Sequence, residues 1–385
     1  MKVFIGTVDI SSRIRDIVRE FRRRGIETLS AKRTRHHRHI SDVDIVLSDS
    51  YSYSFRGVRP RRLQRSLKIL GQKTAGVQAK LLRRVTQECD LAIFLWSSIL
   101  DDRTDYRILS EAGKKIITCF VGSDVRSGVA ANAEFSKHGF SAPFERESID
   151  DFARKLEYVR HAESLSTAIF SRPEQAQLQR RPYSRFVPFI TCEDFKPKLQ
   201  QRASPLILHP CSDNPVKGVK FVQRAIEELK TEGLSFEYQR LSGMTQRDVR
   251  LAMRDADIII DQLFLPGGGK VSVEGMASGA VVLTRMEYNN YPALYPVRPP
   301  IVDVNPDNIR DELRRVVKDL SFRVELATAG PQFVKHHANI RSFVDSIIAV
   351  TEKGDASTAH DYTPMFCSEG LHLLPAAQRR MIMQT

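Results

Sequence analysis

Short apolar segments alternate with amphipathic segments along most of the chain. Those of the first half are rich in branched residues, as buried parallel strands are: 2–5, 44–47, 91–96 and 115–121. Between the first two, residues 11–24 place apolar side chains at helical spacing: Ile14, Ile17, Val18 and Phe21. This spacing predicts a helix with one buried face and with Ser11 or Ser12 as its N-cap. The same patterns predict helices at 71–86 and 150–158, a strand at 168–171 and, because it contains Pro188, an edge strand at 186–190.

A polar, proline-bounded segment at 191–205 separates the first half from a second run of the same alternation. The second half is predicted to contain strands at 206–209, 236–240, 258–261 and 281–284. Its predicted helices are 217–232, 245–254, 271–278, 306–320 and 329–352. Two alternating halves predict an α/β protein with two doubly wound, Rossmann-like sheets. Such sheets bind ligands at the carboxyl ends of their strands, so we expect the ligand in the cleft between the halves.

Lysine, glycine and glutamate residues of the second half form a pattern that suits a nucleotide diphosphate. Lys217 and Gly218 stand between a strand and a helix, where an ammonium can neutralise phosphate beside a helix N-terminus. A second helix opens with Gly267, Gly268, Gly269 and Lys270. Glycines let backbone N–H groups come close to phosphate oxygens. Glu274 lies in that apolar helix and needs a partner there, either the ribose hydroxyls of a nucleotide or a nearby Arg or Lys.

These segments resemble the donor half of GT-B fold glycosyltransferases of the family-4, or group-1, type: LILHPCSDNPVKG, ADIIIDQ and GGGKVSVEGMASG. In the first half, KKIITCFVGSDVR and IFSRPEQAQL resemble the acceptor half of the same proteins. The resemblance implies two Rossmann-like domains facing each other across a cleft. The acceptor-side domain would be 1–195 and the nucleotide-sugar domain 205–350, with the tail 350–385 packing back on the first.

The resemblance also implies an activity. It implies transfer of a hexose-like sugar from a nucleotide-diphosphate donor, of the UDP or GDP type, to a glycan or lipid-linked glycan, as in polysaccharide biosynthesis. The anomeric configuration would be retained, with no metal and no cofactor. Asp255, Ala256 and Asp257 spell a DxD motif, but it enters a strand at the end opposite the predicted ligand.

The resemblance further implies roles for individual residues. Glu274 matches the position that contacts the donor ribose. The candidate acceptor or phosphate contacts are Gly6, Thr7, Ser123 and Arg126. Asp124 either orients the acceptor hydroxyl, acts as a base, or only shapes its loop. Asp261 and Gln262 end ADIIIDQ, where either can contact the donor unless Asp261 only caps the following turn. Gln262 is the second candidate catalytic residue.

Three positions depart from the family pattern. Pro266 stands where the first glutamate is usual, Val121 where a histidine is frequent, and Asn214 where an arginine is frequent. The residues available to take over these roles are Gln262, Lys270 and Asp124. If they do not, the protein is a weak or inactive homologue that binds a nucleotide sugar or a partner enzyme. A sugar-nucleotide epimerase of similar shape is a third hypothesis, and we favour an active transferase.

Charge is unevenly distributed along the chain. Residues 1–100 contain 21 Lys or Arg and 9 Asp or Glu, so nearly all of the net charge of +13 lies there. The basic runs at 22–24, 32–39 and 56–68 are either solvated surface or a face that attracts an anionic membrane or a polyanionic acceptor. Because the runs lack interleaved aromatic residues for base stacking, we do not expect a nucleic-acid partner.

Hydropathy and cysteine usage indicate in which compartment of the cell the protein is expected. No apolar run approaches the ~20 residues of a membrane span, and the N-terminus starts directly with a strand rather than a secretory signal. Five scattered cysteines give neither a disulfide framework nor a metal-ligand spacing. We therefore expect a cytoplasmic protein, peripheral on the inner face of the membrane if its basic domain binds lipid.

Overall fold

The computed structural model describes residues 1–9, 11–33, 43–47, 61–74, 76–128, 148–198, 200–211, 215–288, 295, 297–353 and 376–384. The chain forms two compact units. The first comprises Met1–Arg126, Ser148–Phe186 and Val344–Thr385, and the second comprises Ser127–Glu147 and Val187–Phe343. Each unit contains one parallel sheet with helices between its strands, so the fold class is the predicted α/β class.

The first unit is built on a seven-stranded sheet. Its strands are β1 Lys2–Thr7, β2 Glu27–Arg33, β3 Ile45–Leu47, β4 Leu91–Leu95, β5 Lys115–Cys119, β6 Ala168–Ser171 and β7 Ser184–Arg185. Its first helices are α1 Arg13–Arg23, α2 Arg61–Thr74, α3 Val77–Glu88, α4 Thr104–Glu111 and α5 Ile149–Leu165. The order β3-β2-β1-β4-β5-β6-β7 reverses between β1 and β4, which pair in parallel from Val3 with Leu91 to Thr7 with Leu95.

The second unit is built on a five-stranded sheet. Its strands are β8 Leu206–Pro210, β9 Glu237–Leu241, β10 Ile258–Ile260, β11 Val281–Thr284 and β12 Ile301–Asp303. Its helices are α6 Val219–Thr231, α7 Gln246–Met253, α8 Lys270–Ala277, α9 Ile309–Lys318 and α10 Leu320–His337. The order β12-β11-β10-β8-β9 reverses between β8 and β10, so the ligand crevice of this sheet belongs at their carboxyl ends.

The predicted apolar face of α1 is buried, and Ser12 occupies the predicted N-cap position, but its side chain does not cap the helix. Ile14, Ile17 and Phe21 have no exposed surface. Ser12 precedes the helix in a left-handed conformation, with a φ of 60°, and its hydroxyl makes no capping bond. The Asp9 carboxylate accepts the hydrogen bond from the Ile14 N–H at 3.1 Å instead. A side chain from the preceding loop therefore does what the serine was predicted to do.

Several element boundaries differ from prediction. The single helix predicted at 71–86 is two helices, α2 and α3, with Gly76 before the second. The strand predicted at 186–190 lies earlier, as β7, which pairs with β6 at the edge of the sheet. The helix predicted at 329–352 is interrupted near Asn339, and α11 follows at Ile340–Lys353. Strands β2 and β12 were not predicted, since ETLSAKR is largely polar and IVD is short.

The C-terminal segment contains one further described helix, α12 Ala376–Gln384, which packs on α5. Ile382 is buried there, and Arg180 donates a hydrogen bond to its carbonyl oxygen. The chain returns to the first unit within α11, between Phe343 and Val344. Among the described helices, none combines the length and the apolar character that crossing a membrane requires.

Candidate functional site

Lys217 and Asp261 meet where the strand order of the second sheet reverses. Lys217 ends the short 3-10 turn after β8, and Asp261 is the first residue after β10. Because β8 and β10 are neighbouring parallel strands, their carboxyl ends form one edge of the sheet. The Lys217 ammonium donates a hydrogen bond to Asp261 Oδ1. The lysine predicted to bind phosphate is therefore held in the crevice that the topology favours for a ligand.

Asp261 also binds the start of helix α8. Its Oδ2 accepts hydrogen bonds from the Gly269 N–H at 3.0 Å and from the Ser272 hydroxyl at 2.6 Å. Burial opposes ionisation of this carboxyl, which has no exposed surface. The charge of Lys217 and the three hydrogen bonds outweigh burial and hold the pKa of Asp261 below its ordinary value. An ionised Asp261 therefore links Lys217 to the N-terminus of α8.

The Lys217 ammonium retains capacity for a ligand. It has three N–H donors. Across the described ranges, its only hydrogen-bond partner is Asp261. The side chain is 18% exposed, so solvent or a ligand can reach it. Within the described ranges, two donors and a positive charge thus remain for an anion beside the N-terminus of a helix.

The glycines before α8 are required by close packing. A Cβ on Gly268 would lie 2.8 Å from Ser272 Oγ, and one on Gly269 would lie 3.1 Å from Asp261 Oδ2. Gly267 has a φ of 76° and donates to the Arg285 carbonyl at 3.0 Å. From the sequence, glycines were predicted here because they let a ligand come close to the backbone. The structure gives a second reason, which is that glycines let α8 pack against Asp261.

Glu274 is paired within the protein. It is buried in α8, and its Oε1 lies 2.7 Å from Nη2 and 2.9 Å from Nε of Arg250, on α7. The Gln246 side chain lies 3.5 Å from the same oxygen. This is the arrangement expected from the alternative of a local ion pair. The ribose contact implied by the resemblance stays a prediction, and Arg250 would have to share the carboxylate with the ribose.

The other predicted residues of this half have local roles. The Gln262 side chain donates to the Leu265 carbonyl at 2.9 Å, closing the turn after β10. Gly218 is the N-cap of α6, in a left-handed conformation with a φ of 69°. Lys270 is the first residue of α8 and is buried. The structure thus brings Lys217 and Gly269 together through Asp261, and places Gln262 in a turn beside them.

His209 was not singled out from the sequence and lies next to Lys217. Its Nδ1 is 3.2 Å from the Tyr238 hydroxyl, whereas its buried Nε2 has no hydrogen-bond partner among the described residues. Burial, reinforced by the charge of Lys217, lowers the pKa of His209 to about 3. The imidazole is therefore neutral, and its unpaired nitrogen is a further polar group at this edge of the sheet. The signal in the sequence was a polar side chain near the end of an apolar strand.

In the first unit, the predicted residues of the β1 and β5 loops are mostly buried. The Thr7 hydroxyl donates to the carbonyls of Ser97 and Ser98 at 3.1 and 3.0 Å, which ties the end of β1 to the loop after β4. Gly6 is buried within β1, and Ser123 is half-buried. Arg126 is buried, and its Nη1 donates to Gln175 Oε1 at 2.6 Å. These bonds shape the carboxyl edge of the first sheet.

Asp124 also shapes this edge. Its Oδ1 accepts from the backbone N–H groups of Val121 at 3.1 Å and Gly122 at 2.7 Å. Both bonds close the loop after β5, as the loop-shaping alternative predicts. Burial raises the pKa of Asp124 to about 6, although the two N–H groups favour the carboxylate.

The raised pKa predicts a pH-dependent stability. An unfolded Asp has a pKa of ~3.9, so between about pH 4 and 6 the folded carboxyl binds a proton that the unfolded one has lost. Its contribution to stability is complete below pH ~4 and is lost as the pH rises through 6. From pH 4 to 7, Asp124→Asn should gain stability relative to wild type, by at most ~3 kcal/mol. Melting temperatures of both proteins across that range test this, and a difference independent of pH would contradict it.

The DxD segment has a structural role. Asp257 has no exposed surface and directly precedes β10, at the end opposite Asp261. Its carboxylate lies 3.0 Å from Lys198 Nζ and 2.9 Å from Arg202 Nη1, and it accepts from the Leu206 N–H at 2.8 Å. Asp257 therefore anchors the segment that leads into β8, and its oxygens are occupied by protein groups.

Much of the described basic surface is paired with acids. Arg22 pairs with Asp44, Arg23 and Arg24 pair with Glu20, and Arg33 and Lys68 pair with Asp101. Residues 34–39 and 56–60 of the basic runs lie outside the described residues. The described pairs fit the solvated-surface alternative, and membrane association stays a prediction from the sequence.

Comparison with solved structures shows the fold. HepE from Anabaena, in a crystal structure with UDP and glucose, matches with a TM-score of 0.53 and 13% identity, over 92% of this chain and 100% of that one. An α-glucosyltransferase bound to UDP and a 13-mer DNA matches with a TM-score of 0.53 and 10% identity, over 91% and 99%. No protein-family model matches the chain, and no curated protein matches it in sequence. The chain therefore has the GT-B fold class, while membership of family 4 is not shown.

Proposed function

We propose that the protein is a glycosyltransferase that moves a sugar from a UDP- or GDP-sugar to a glycan or lipid-linked glycan. The observation that supports this best is the pairing of Lys217 with Asp261 at the switch point of the second sheet. It places a cation with spare donors beside a helix N-terminus, at the edge where this sheet class binds ligands. A diphosphate is the ligand class that such an arrangement fits.

The chemistry follows from the charge that develops on the diphosphate. As the bond between the sugar and the diphosphate breaks, negative charge grows on the leaving phosphate. Lys217 can donate two hydrogen bonds to it while Asp261 holds the ammonium in place. The N-terminus of α8 adds its partial positive charge. Transition-state stabilisation of this kind supports a metal-independent reaction, since the DxD carboxylate of Asp257 is bound to Lys198 and Arg202.

The relatives in fold support the same substrate class. HepE has been crystallised with UDP-glucose, and the DNA-bound α-glucosyltransferase with UDP. We propose that this chain also takes a nucleotide sugar, with a glycan rather than DNA as acceptor, because its basic runs lack stacking aromatics. Retention of configuration is part of the proposal through the family resemblance alone.

Binding of UDP tests the donor site. Lys217→Gln removes the charge while keeping a polar side chain near Asp261. We expect it to weaken UDP binding by roughly 10–150-fold, because a hydrogen bond to a charged group is worth ~1.5–3 kcal/mol. Lys220→Gln is the matched control: Lys220 is exposed at the start of α6, and the variant should bind UDP like wild type. Titration calorimetry with UDP measures both.

Two results would contradict the proposal. Equal UDP affinity in wild type and Lys217→Gln would remove Lys217 from the donor site. UDP binding with neither hydrolysis of UDP-glucose nor transfer to any glycan acceptor would favour the alternative, an inactive homologue that only binds nucleotide sugar. Isomerisation of the donor sugar without an acceptor would favour an epimerase.

A further inference from the structure

Arg13 is a buried cation whose side chain makes no hydrogen bond within the described part of the chain. It is 6% exposed, at the first position of α1, just beyond the carboxyl end of β1. Its Nε is fully enclosed and has no hydrogen-bond partner, and its side chain makes no hydrogen bond to any described residue. The one described contact of its guanidinium is with the Phe186 ring, 5.2 Å from the ring centroid. Leaving the enclosed Nε–H of a guanidinium unused is costly, and the other four N–H donors are available to a ligand.

An unpaired acceptor lies on the same loop. Asp9 is 4% exposed, and its Oδ1 is used by the Ile14 N–H. Its Oδ2 is buried without a hydrogen-bond partner in the described part of the chain. Asp9 and Arg13, which are both described, do not form an ion pair with each other. A donor and an acceptor are therefore both left unsatisfied beside the end of β1.

The charges around Arg13 come from several strand ends. Burial lowers the pKa of Arg13 most, Arg172 after β6 lowers it further, and Asp9 and Asp124, after β1 and β5, raise it. The pKa of Arg13 falls to about 10, so the group stays protonated at neutral pH. Arg172 is itself buried, and its Nε lies 3.8 Å from Glu174, which also pairs with Arg185. Among the described residues, Arg13, Arg126 and Arg172 thus share the carboxyl edge of the first sheet with the buried carboxylates of Asp9, Asp124 and Glu174.

We infer that Arg13 binds an anionic group of the sugar acceptor, a carboxylate or phosphate that stands next to a free hydroxyl. The anionic oxygens would accept from the Arg13 guanidinium, which presents a planar fork suited to both groups. The hydroxyl would donate to Asp9 Oδ2. A neutral sugar can donate a hydrogen bond to Asp9 but offers Arg13 no anionic partner. An anion without a hydroxyl can pair with Arg13 but has no donor for Asp9. The inference rests on the proposed glycosyl transfer, because it names the class of acceptor.

The probes separate these possibilities. Methyl β-D-glucuronide and glucose 6-phosphate carry an anionic group and hydroxyls, methyl β-D-glucoside carries hydroxyls only, and sulfate is an anion without a hydroxyl. Wild type should bind one or both anionic sugars at least tenfold more tightly than the glucoside or sulfate. Which of the two binds better distinguishes a carboxylate from a phosphate. Equal binding of glucoside and anionic sugars would overturn the inference.

Arg13→Met tests the residue itself. It should weaken binding of the preferred anionic sugar by roughly 10–100-fold and leave binding of the glucoside unchanged. Arg19→Met is the matched control, since Arg19 is exposed on the same helix and the variant loses the same charge. It should bind all four probes like wild type.

A melting experiment separates ligand binding from a structural role. Because methionine fills the place of an unpaired buried cation with apolar atoms, Arg13→Met should melt at or above the wild-type temperature without ligand. The anionic sugar should raise the melting temperature of wild type and not that of Arg13→Met. If Arg13→Met melts well below wild type and binds all four probes more weakly by the same factor, the role of Arg13 is structural.

UDP binding, measured on the same samples, keeps the two proposals apart. Arg13→Met should bind UDP like wild type, and a selective loss of UDP affinity would place Arg13 at the donor phosphates instead. If wild type binds UDP but no anionic sugar, only the acceptor inference fails. If it binds an anionic sugar but neither UDP nor GDP, the proposed donor site fails.

Discussion

Asp261→Ala is expected to lower the stability of the second unit and to abolish most of its UDP binding. The substitution removes a buried carboxylate that holds Lys217, the Gly269 N–H and the Ser272 hydroxyl. Removing one partner of a buried pair leaves the others unsatisfied, at a cost of ~3 kcal/mol or more. Lys217 is then no longer held in the crevice, so the affinity for UDP should fall at least as far as in Lys217→Gln.

Controls separate this effect from a change of net charge. Asp255→Ala removes the same charge from an exposed residue before β10, and should change stability by less than ~0.5 kcal/mol. The double variant Lys217→Met with Asp261→Ala should cost less than the sum of the two single changes, because they remove one shared interaction. Denaturant unfolding measures the stability. Additive costs would show that the pair does not act as a unit.

Asp257→Ala is expected to lower stability by a similar ~3 kcal/mol without affecting UDP affinity in the folded fraction. Asp257 lies at the other end of β10 and binds Lys198, Arg202 and the Leu206 N–H. Its loss frees the segment that leads into β8 and leaves two cations without their carboxylate. Hydrogen exchange at residues 200–211 should speed up.

The two aspartates therefore make a paired test. They lie at opposite ends of one short strand and are both fully buried, yet only Asp261 belongs to the proposed donor site. Two results would place the DxD segment in the donor site: a lower UDP affinity of the folded Asp257→Ala variant, or a wild-type activity that depends on added Mn²⁺ or Mg²⁺. Unchanged affinity would confirm its structural role.

The pattern of apolar and polar residues along the chain predicted the buried faces of the helices and most of the strands. The repeat of Ile14, Ile17, Val18 and Phe21 is enough to place α1, because burial of one face decides both the helix and its rotation. Strand β2 escaped prediction because its sequence, ETLSAKR, is mostly polar, and its pairing with β1 compensates for the weak pattern. Capping by Asp9 depends on loop conformation, which the pattern of residue types does not contain.

The candidate site was predicted less completely than the fold. Lys217 and the glycines were found because a lysine and a glycine cluster at strand ends are local signals. The partner of Lys217 is 44 residues away, and that of Glu274 is 24 residues away. Such pairings follow from strand order, which periodicity does not specify. Arg13 gave no signal at all, since an arginine at a helix start is ordinarily solvated.

A structure of the protein with UDP tests the central claim most directly. We predict an oxygen of the diphosphate within ~3.2 Å of Lys217 Nζ, the range of a charge-assisted hydrogen bond, with Asp261 still bound to the ammonium and the phosphates beside the N-terminus of α8. UDP bound away from the carboxyl ends of β8 and β10, with Lys217 contacting only Asp261, would contradict it.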